Sequence, residues 1–200
     1  MKSLIAASGL ALIVAGTACA GGMSNDKSMS KGMSDSMTAH GMVMVGGSAM
    51  SPAKNIVQNA VNSKDHTTLV ALVKEAGLVS ALESKGPFTV FAPTNQAFSE
   101  LPASTVKALQ EPKNRAQLKS ILLYHVVSGR YDFNRLAGLI KQGGGKAMLK
   151  TLNGMDLTFM MNGSHNIVVK DAKGGIAQIS TYNVYQSNGV IQVVNHVLLP

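Results

Sequence analysis

Two continuous apolar segments limit the possible folds of this 200-residue chain more than any other feature. The first covers residues 88–98, with the sequence FTVFAPTNQAF, and the second covers residues 188–200, with the sequence NGVIQVVNHVLLP. Each contains a short apolar run bounded by turn residues, which is typical of a strand buried on both faces and is too short to span a membrane. We therefore predict that the two segments bracket one domain and meet as neighbouring pieces of its core.

The sequence between these segments changes character near Lys146. Apolar residues recur at helical spacing in residues 52–62, 68–76, 103–110 and 114–127. From Lys146 onward the pattern is alternation, with Asn-Gly pairs at 153–154, 162–163 and 188–189 that are strong hairpin signals. We predict an α+β fold, in which helices cover a compact, mostly antiparallel β-core.

The two apolar segments also resemble the two conserved boxes of the fasciclin domain. The residues that carry this resemblance are Phe91, Ala92, Pro93, Thr94, Asn95 and Phe98 in the first box and Asn188, Gly189 and His196 in the second. Tyr124-His125 lies between them, where the family carries its tyrosine-histidine motif. The resemblance covers roughly residues 53–200 and implies a fasciclin-like fold, a compact antiparallel β-sandwich or wedge with helices packed along one side.

The same resemblance implies an adhesion or interaction module. In the family, the segment that corresponds to Tyr124 and His125, with the apolar neighbours Leu122, Leu123 and Val126, is assigned to contact with partner proteins. The residues themselves also allow another role, because a Tyr-His pair at a helix end can pack its rings and satisfy its polar atoms on the backbone.

A second function follows from relatives that hold apolar molecules such as carotenoids between their helices and sheet. Flexible methionine side chains suit an adaptable apolar pocket, and the candidates are Met148, Met155, Met160 and Met161. As alternating strand residues, they are equally compatible with an ordinary core.

Residues 1–20 have the anatomy of an export signal. Lys2 precedes an apolar run at residues 4–15, and small residues follow it. Cys19, which is the only cysteine, allows two interpretations: Ala18-Cys19-Ala20 fits a cleavage site, and Thr17-Ala18-Cys19 resembles the end of a bacterial lipoprotein box. We predict an exported protein, periplasmic or extracellular, that is either free or anchored in the outer membrane by lipid on Cys19.

Residues 21–51 are rich in methionine, serine and glycine, and we predict that they form a disordered tail before a domain at 52–200. Seven of the twelve methionines lie in this segment. Thioethers are soft ligands that favour Cu(I), so the tail contains a candidate Cu(I) site formed by Met29, Met33, Met37, His40 and Met42. A low-complexity linker or a reversible sink for oxidants would have the same composition.

The charge and the motifs exclude several classes of function. Basic residues outnumber acidic ones by 18 to 10, which favours anionic partners such as a polysaccharide or lipid surface, besides an envelope or extracellular protein. No arginine-rich run marks a nucleic-acid interface, and no Gly-x-Ser-x-Gly or His-Glu-x-x-His motif marks a hydrolase. We therefore predict a protein that is not an enzyme, binds no nucleic acid and has no cofactor other than copper in the tail.

Overall fold

The computed structural model describes residues 41–200. The predicted leader, Cys19 and the tail up to His40 lie outside the described residues. Within residues 41–200, none of the helices is long and apolar enough to cross a bilayer.

Seven α-helices and nine strands make up the described part of the chain. The helices are α1 Ile56–Ala60, α2 Thr67–Glu75, α3 Val79–Glu83, α4 Asn95–Ser99, α5 Ala103–Gln110, α6 Arg115–Tyr124 and α7 Phe133–Gln142. The strands are β1 Val43–Val45, β2 Ser48–Met50, β3 Phe88–Pro93, β4 Val126–Ser128, β5 Lys146–Lys150, β6 Asp156–Asn162, β7 Asn166–Lys170, β8 Ile176–Gln186 and β9 Gly189–Val194. Short 3-10 turns at Lys64–His66 and Pro112–Asn114 precede α2 and α6.

Seven of the strands form one large sheet in the order β4-β3-β9-β8-β7-β6-β5. Strands β3 and β9 are parallel, and every other neighbouring pair is antiparallel. The two edges approach each other, because Val127 bridges Thr151 and the Leu152 N–H donates to the Val126 carbonyl at 2.8 Å. The α+β class is thus confirmed, with a nearly closed sheet and helices alongside it.

The two apolar segments of the sequence are direct neighbours, as predicted. Strands β3 and β9 pair from Phe88 opposite Gly189 to Pro93 opposite Val194. Side chains of these strands enter two different cores. Val90, Ala92, Ile191 and Val193 pack with the helices in what we call the helical core. Phe91 and Val194 pack with β6, β7 and α7 in the sheet core, so both faces are buried.

Gly189 is required by this pairing. A Cβ atom on Gly189 would lie 2.1 Å from the Phe88 carbonyl oxygen, so no other residue allows the two strands to approach so closely. Gly189 of the second family box is therefore needed for backbone packing.

The domain begins earlier than the sequence predicted. Residues 43–50 form the β1–β2 hairpin, with Gly46 and Gly47 at φ values of +58° and +73° in its two-residue turn. Val45 and Met50 are buried in the helical core, and the Val45 carbonyl accepts from the Ser63 hydroxyl at 3.3 Å. The prediction of disorder up to Ser51 is therefore wrong for this segment, since a Gly-Gly turn between two apolar runs is a hairpin signal.

We expect Met50→Ala to lower the free energy of unfolding by about 2–3 kcal/mol, because it leaves a cavity at a side chain that is 2% exposed. Met44→Ala is the matched control on the same hairpin, since Met44 is 63% exposed and should change stability by less than about 0.5 kcal/mol. Urea unfolding of the two variants checks this, and equal stabilities would show that the hairpin is not part of the folded unit.

Candidate functional site

Tyr124 is fully buried at the C-terminal end of α6. Its hydroxyl donates to the Asp156 carbonyl at 3.0 Å and accepts from the Ala172 N–H at 2.9 Å. Burial raises the pKa of this phenol above its ordinary value of 10.0, so the hydroxyl keeps its proton at neutral pH. Tyr124 therefore joins α6 to β6 and to the loop after β7.

His125 is also buried, and both of its ring nitrogens contact backbone groups. Nδ1 lies 2.9 Å from the Ile121 carbonyl, and the Leu198 N–H donates to Nε2 at 3.0 Å. These partners require a neutral ring with its proton on Nδ1. Burial lowers the pKa of His125 to about 4, against weaker opposing effects of the Ile121 carbonyl and Asp171. The ring thus holds the C-terminal segment against the end of α6.

This burial decides between the two roles that the sequence left open for the Tyr-His pair. Both side chains pack and satisfy their polar atoms on backbone, as one of the two interpretations predicted. Leu122 and Val126 are buried as well, and Leu123 alone among the five predicted contact residues keeps part of its surface accessible. Direct contact of a partner with the Tyr124 or His125 side chain is therefore incompatible with this structure.

An apolar cleft lies beside the Tyr-His pair. It encloses about 50 Å³ between helices and sheet, and its floor includes Leu69, Val73, Leu82, Leu122 and Ile191. Besides Ala60, four larger lining residues are only partly buried, and they come from four different helices: Val57, Val70, Val79 and Leu123. The cleft therefore presents an apolar rim to solvent.

Charged or titratable groups are scarce around this cleft. Lys74 is the exposed cation that lines it, and His125 contributes its neutral ring. No hydroxyl, thiol or carboxylate lines it within the described residues. Such a surface can hold an apolar group.

Asn95 and Thr94 of the first family box position the helices around β3. The Asn95 amide accepts from the Thr68 N–H at 3.0 Å and donates to the Lys64 carbonyl at 2.8 Å. Thr94 caps α4 by accepting from the Ala97 N–H at 3.3 Å. These contacts hold α2 close to β3. Helix α2 contributes Val70 to the cleft rim.

Asn188 of the second box holds helices α1 and α3 in place. Its side chain accepts from the Ile56 N–H at 3.0 Å and donates to the Leu82 carbonyl at 2.7 Å. In contrast, His196 is partly exposed and contacts Glu100 at 3.0 Å. Phe91, Ala92, Pro93 and Phe98 are buried. Of the box residues, Phe91 and Ala92 line the cleft, and Asn95 and Asn188 hold the surrounding helices in place.

The methionine candidates do not assemble a pocket. Met148 and Met155 are exposed, Met161 packs against the sheet core, and Met160 belongs to neither core. None of the four lines the apolar cleft. The sequence instead missed Val57, Val70 and Val79, whose signal was an apolar face too broad for a helix that buries only one side.

The copper hypothesis stays a prediction. Met29, Met33, Met37 and His40 lie outside the described residues, while Met42 is exposed just before β1. Among residues 41–200, no group of three or more His, Cys, Asp or Glu side chains is arranged to hold a metal ion.

Comparisons with known proteins give a consistent family. A family model described as the Fasciclin domain matches residues 64–200. Protein sll1483 of Synechocystis sp. is 41% identical over 170 residues, which cover 84% of this chain and 86% of that protein. Cell surface glycolipoprotein MPB83 of Mycobacterium bovis is 30% identical over 158 residues, which cover 78% of this chain and 64% of that protein.

A solved structure shares the fold. The FAS1 domain pair from the insect cell adhesion molecule Fasciclin I superposes with a TM-score of 0.66 at 19% identity and covers 74% of this chain. The chain spans about half of that solved chain, at 52% of its length.

Proposed function

Because the chain belongs to the fasciclin-domain family, we propose that it is a non-enzymatic, extracytoplasmic interaction module that binds a protein partner through the apolar cleft. The observation that carries this proposal is the partly exposed apolar rim formed by Val57, Val70, Val79 and Leu123. Contiguous exposed apolar surface of this kind marks an interaction site.

Features of the cleft favour a particular chemistry for the partner. An apolar side chain of an envelope or extracellular protein fits the rim, and a carboxylate beside it would face Lys74, which has no ion-pair partner among the described residues. The names of two relatives support a location at the cell exterior, since one is a cell surface glycolipoprotein and another is a cell adhesion molecule. Export would follow from the leader that the sequence predicts.

The test is capture of the envelope partner by the purified protein. We expect Val70→Ser/Leu123→Ser to reduce recovery roughly tenfold or more, because apolar side chains at the centre of a contact contribute most of its binding energy. Val61→Ser is the matched control, since Val61 is 48% exposed and does not line the cleft. Equal recovery by both variants would contradict the proposal.

An apolar small ligand is the second candidate for the same cleft. The enclosed volume of about 50 Å³ is far below the several hundred Å³ typical of ligand pockets, so a carotenoid-sized molecule requires the helices to move apart. Colour or lipid that is released from the native protein, and is missing from Val70→Ser/Leu123→Ser, would favour this candidate over the protein partner.

A further inference from the structure

The outward face of strands β5 to β8 carries an unusual mixture of side chains. Alternate residues of these strands, including Ala147, Phe159, Val169 and Ala177, point into the sheet core. Their neighbours along each strand therefore point outward. We define the outer sheet face by these outward residues and the adjoining loops: Lys146, Met148, Lys150, Leu152, Met155, Asp156, Thr158, Met160, Val168, Lys170, Lys173, Ile176 and Gln178.

Apolar side chains are concentrated on this face. Met148 is 66% exposed and Ile176 is 57% exposed, and both belong to one cross-strand row in which Thr158 and Lys170 lie between them. Leu152 and Met155, at the turn between β5 and β6, are exposed as well. Among residues 41–200, two of the seven large exposed hydrophobic residues therefore point outward from these strands, and two more lie at the adjoining turn. Clustered exposure of this kind marks an interaction surface.

Lysines surround these apolar side chains. Lys146 and Lys150 flank Met148 along β5, and Lys170 is the cross-strand partner of Ile176. With Lys173, the outer sheet face carries four lysines and one exposed carboxylate, that of Asp156. None of these four forms an ion pair within the described part of the chain. The outer sheet face is thus strongly positive.

Asp171, the other acidic residue nearby, does not offset this charge at the surface. It is buried, and its carboxylate accepts from the Gly175 N–H at 2.6 Å and from the Leu199 N–H at 3.0 Å. Its oxygens are therefore directed at backbone groups within the domain, while the lysine ammonium groups remain in solvent.

We propose that the outer sheet face docks the domain onto the surface of an anionic lipid bilayer. A bilayer surface supplies phosphate groups for the lysines and, a few ångströms deeper, an apolar phase for Met148 and Ile176. Lysine is well suited to this position because its aliphatic stem lies along apolar surface while the ammonium group reaches the headgroups. An anionic polysaccharide would satisfy the lysines and leave Met148 and Ile176 in water.

This docking is independent of the apolar cleft. The cleft is lined by helices and by residues of β3 and β9, whereas the outer sheet face belongs to β5 to β8. A domain held at a membrane by the outer sheet face therefore keeps its cleft available for a partner.

Vesicle co-sedimentation tests the proposal. The full chain carries Cys19→Ser in every arm, so that no acyl chain contributes, and it is mixed with vesicles of phosphatidylcholine alone or of phosphatidylcholine and phosphatidylglycerol in equal amounts. We expect binding to the anionic vesicles only, with a partition coefficient that falls roughly a hundredfold in Lys146→Gln/Lys150→Gln/Lys170→Gln, since each lysine near an anionic membrane contributes about fivefold.

Matched controls separate this face from net charge. Lys54→Gln/Lys107→Gln/Lys119→Gln removes the same charge from exposed positions elsewhere and should change binding only about twofold. Met148→Ser/Ile176→Ser should lower binding roughly tenfold, while Val61→Ser should not lower it. An equal loss in the two lysine variants, unchanged binding of Met148→Ser/Ile176→Ser, or no binding to either vesicle overturns the proposal.

Discussion

Replacing His125 by alanine is expected to lower the free energy of unfolding by about 4 kcal/mol, although the motif to which it belongs is associated with adhesion. The loss has two sources. Removal of the ring leaves a cavity in the core, and it leaves the Leu198 N–H and the Ile121 carbonyl without their ring partners. Urea unfolding at neutral pH measures the change.

His165→Ala is the control for this variant. His165 is exposed, and its ring hydrogen-bonds to the neighbouring Ser164 hydroxyl at the surface, so the substitution should change stability by less than about 0.5 kcal/mol. A loss below about 1 kcal/mol in His125→Ala would contradict the structural role. The result also bears on binding assays, because weaker binding by His125→Ala reports lost folding unless recovery is normalised to folded protein.

The sequence predicted strands β3 and β9 because the signal for each strand was local. Each strand is a short, continuous apolar run with turn residues on both sides, which is the pattern that burial on two faces requires. The Asn-Gly turns were similarly local: Gly154 and Gly163 adopt φ values of +93° and +76° between the strands that they join. These turns were predicted correctly because their pattern is set by neighbours in sequence.

The end of α6 shows where local information was insufficient. Helical spacing predicted one helix over residues 114–127, but α6 ends at Tyr124 and β4 begins at Val126. The reason is tertiary, since Val126 pairs with Val90 and the His125 ring bonds to Leu198. The burial of the Tyr-His pair likewise depends on Asp156, Ala172 and Leu198, which are distant in sequence.

Helix α7 lay outside the predicted elements although its signals were present. Asp132 caps it by accepting from the Arg135 N–H at 2.8 Å, and Leu136 and Ile140 occupy one buried face. The apolar cleft was harder to predict, because its rim combines residues from four helices whose relative positions depend on the Asn95 and Asn188 side chains. The cleft therefore depends on side-chain contacts between segments that are distant in sequence, and a local sequence pattern does not predict such contacts.

Mild acid is expected to destabilise the domain through two buried histidines. The pKa of His125 falls from 6.5 to about 4 on folding, and burial also lowers the pKa of His66. In both cases the unfolded chain binds protons more readily than the folded one. The contribution of these rings to stability is therefore complete above pH 6.5 and is lost as the pH falls toward about 4.

The difference between the unfolded-state and folded-state pKa of His125 corresponds to a loss of about 3 kcal/mol in the free energy of unfolding at low pH. About 2 kcal/mol of this is lost by pH 5. His66 adds to this loss in the same direction, because burial lowers its pKa more than the Ala92 backbone and Asp65 raise it. Unfolding free energies measured at about pH 7.5 and about pH 5 give the total loss. In His125→Gln, which does not titrate in this range, the loss should be smaller by about 2 kcal/mol. An identical loss in both proteins would show that the His125 ring does not remain neutral and buried in the folded state.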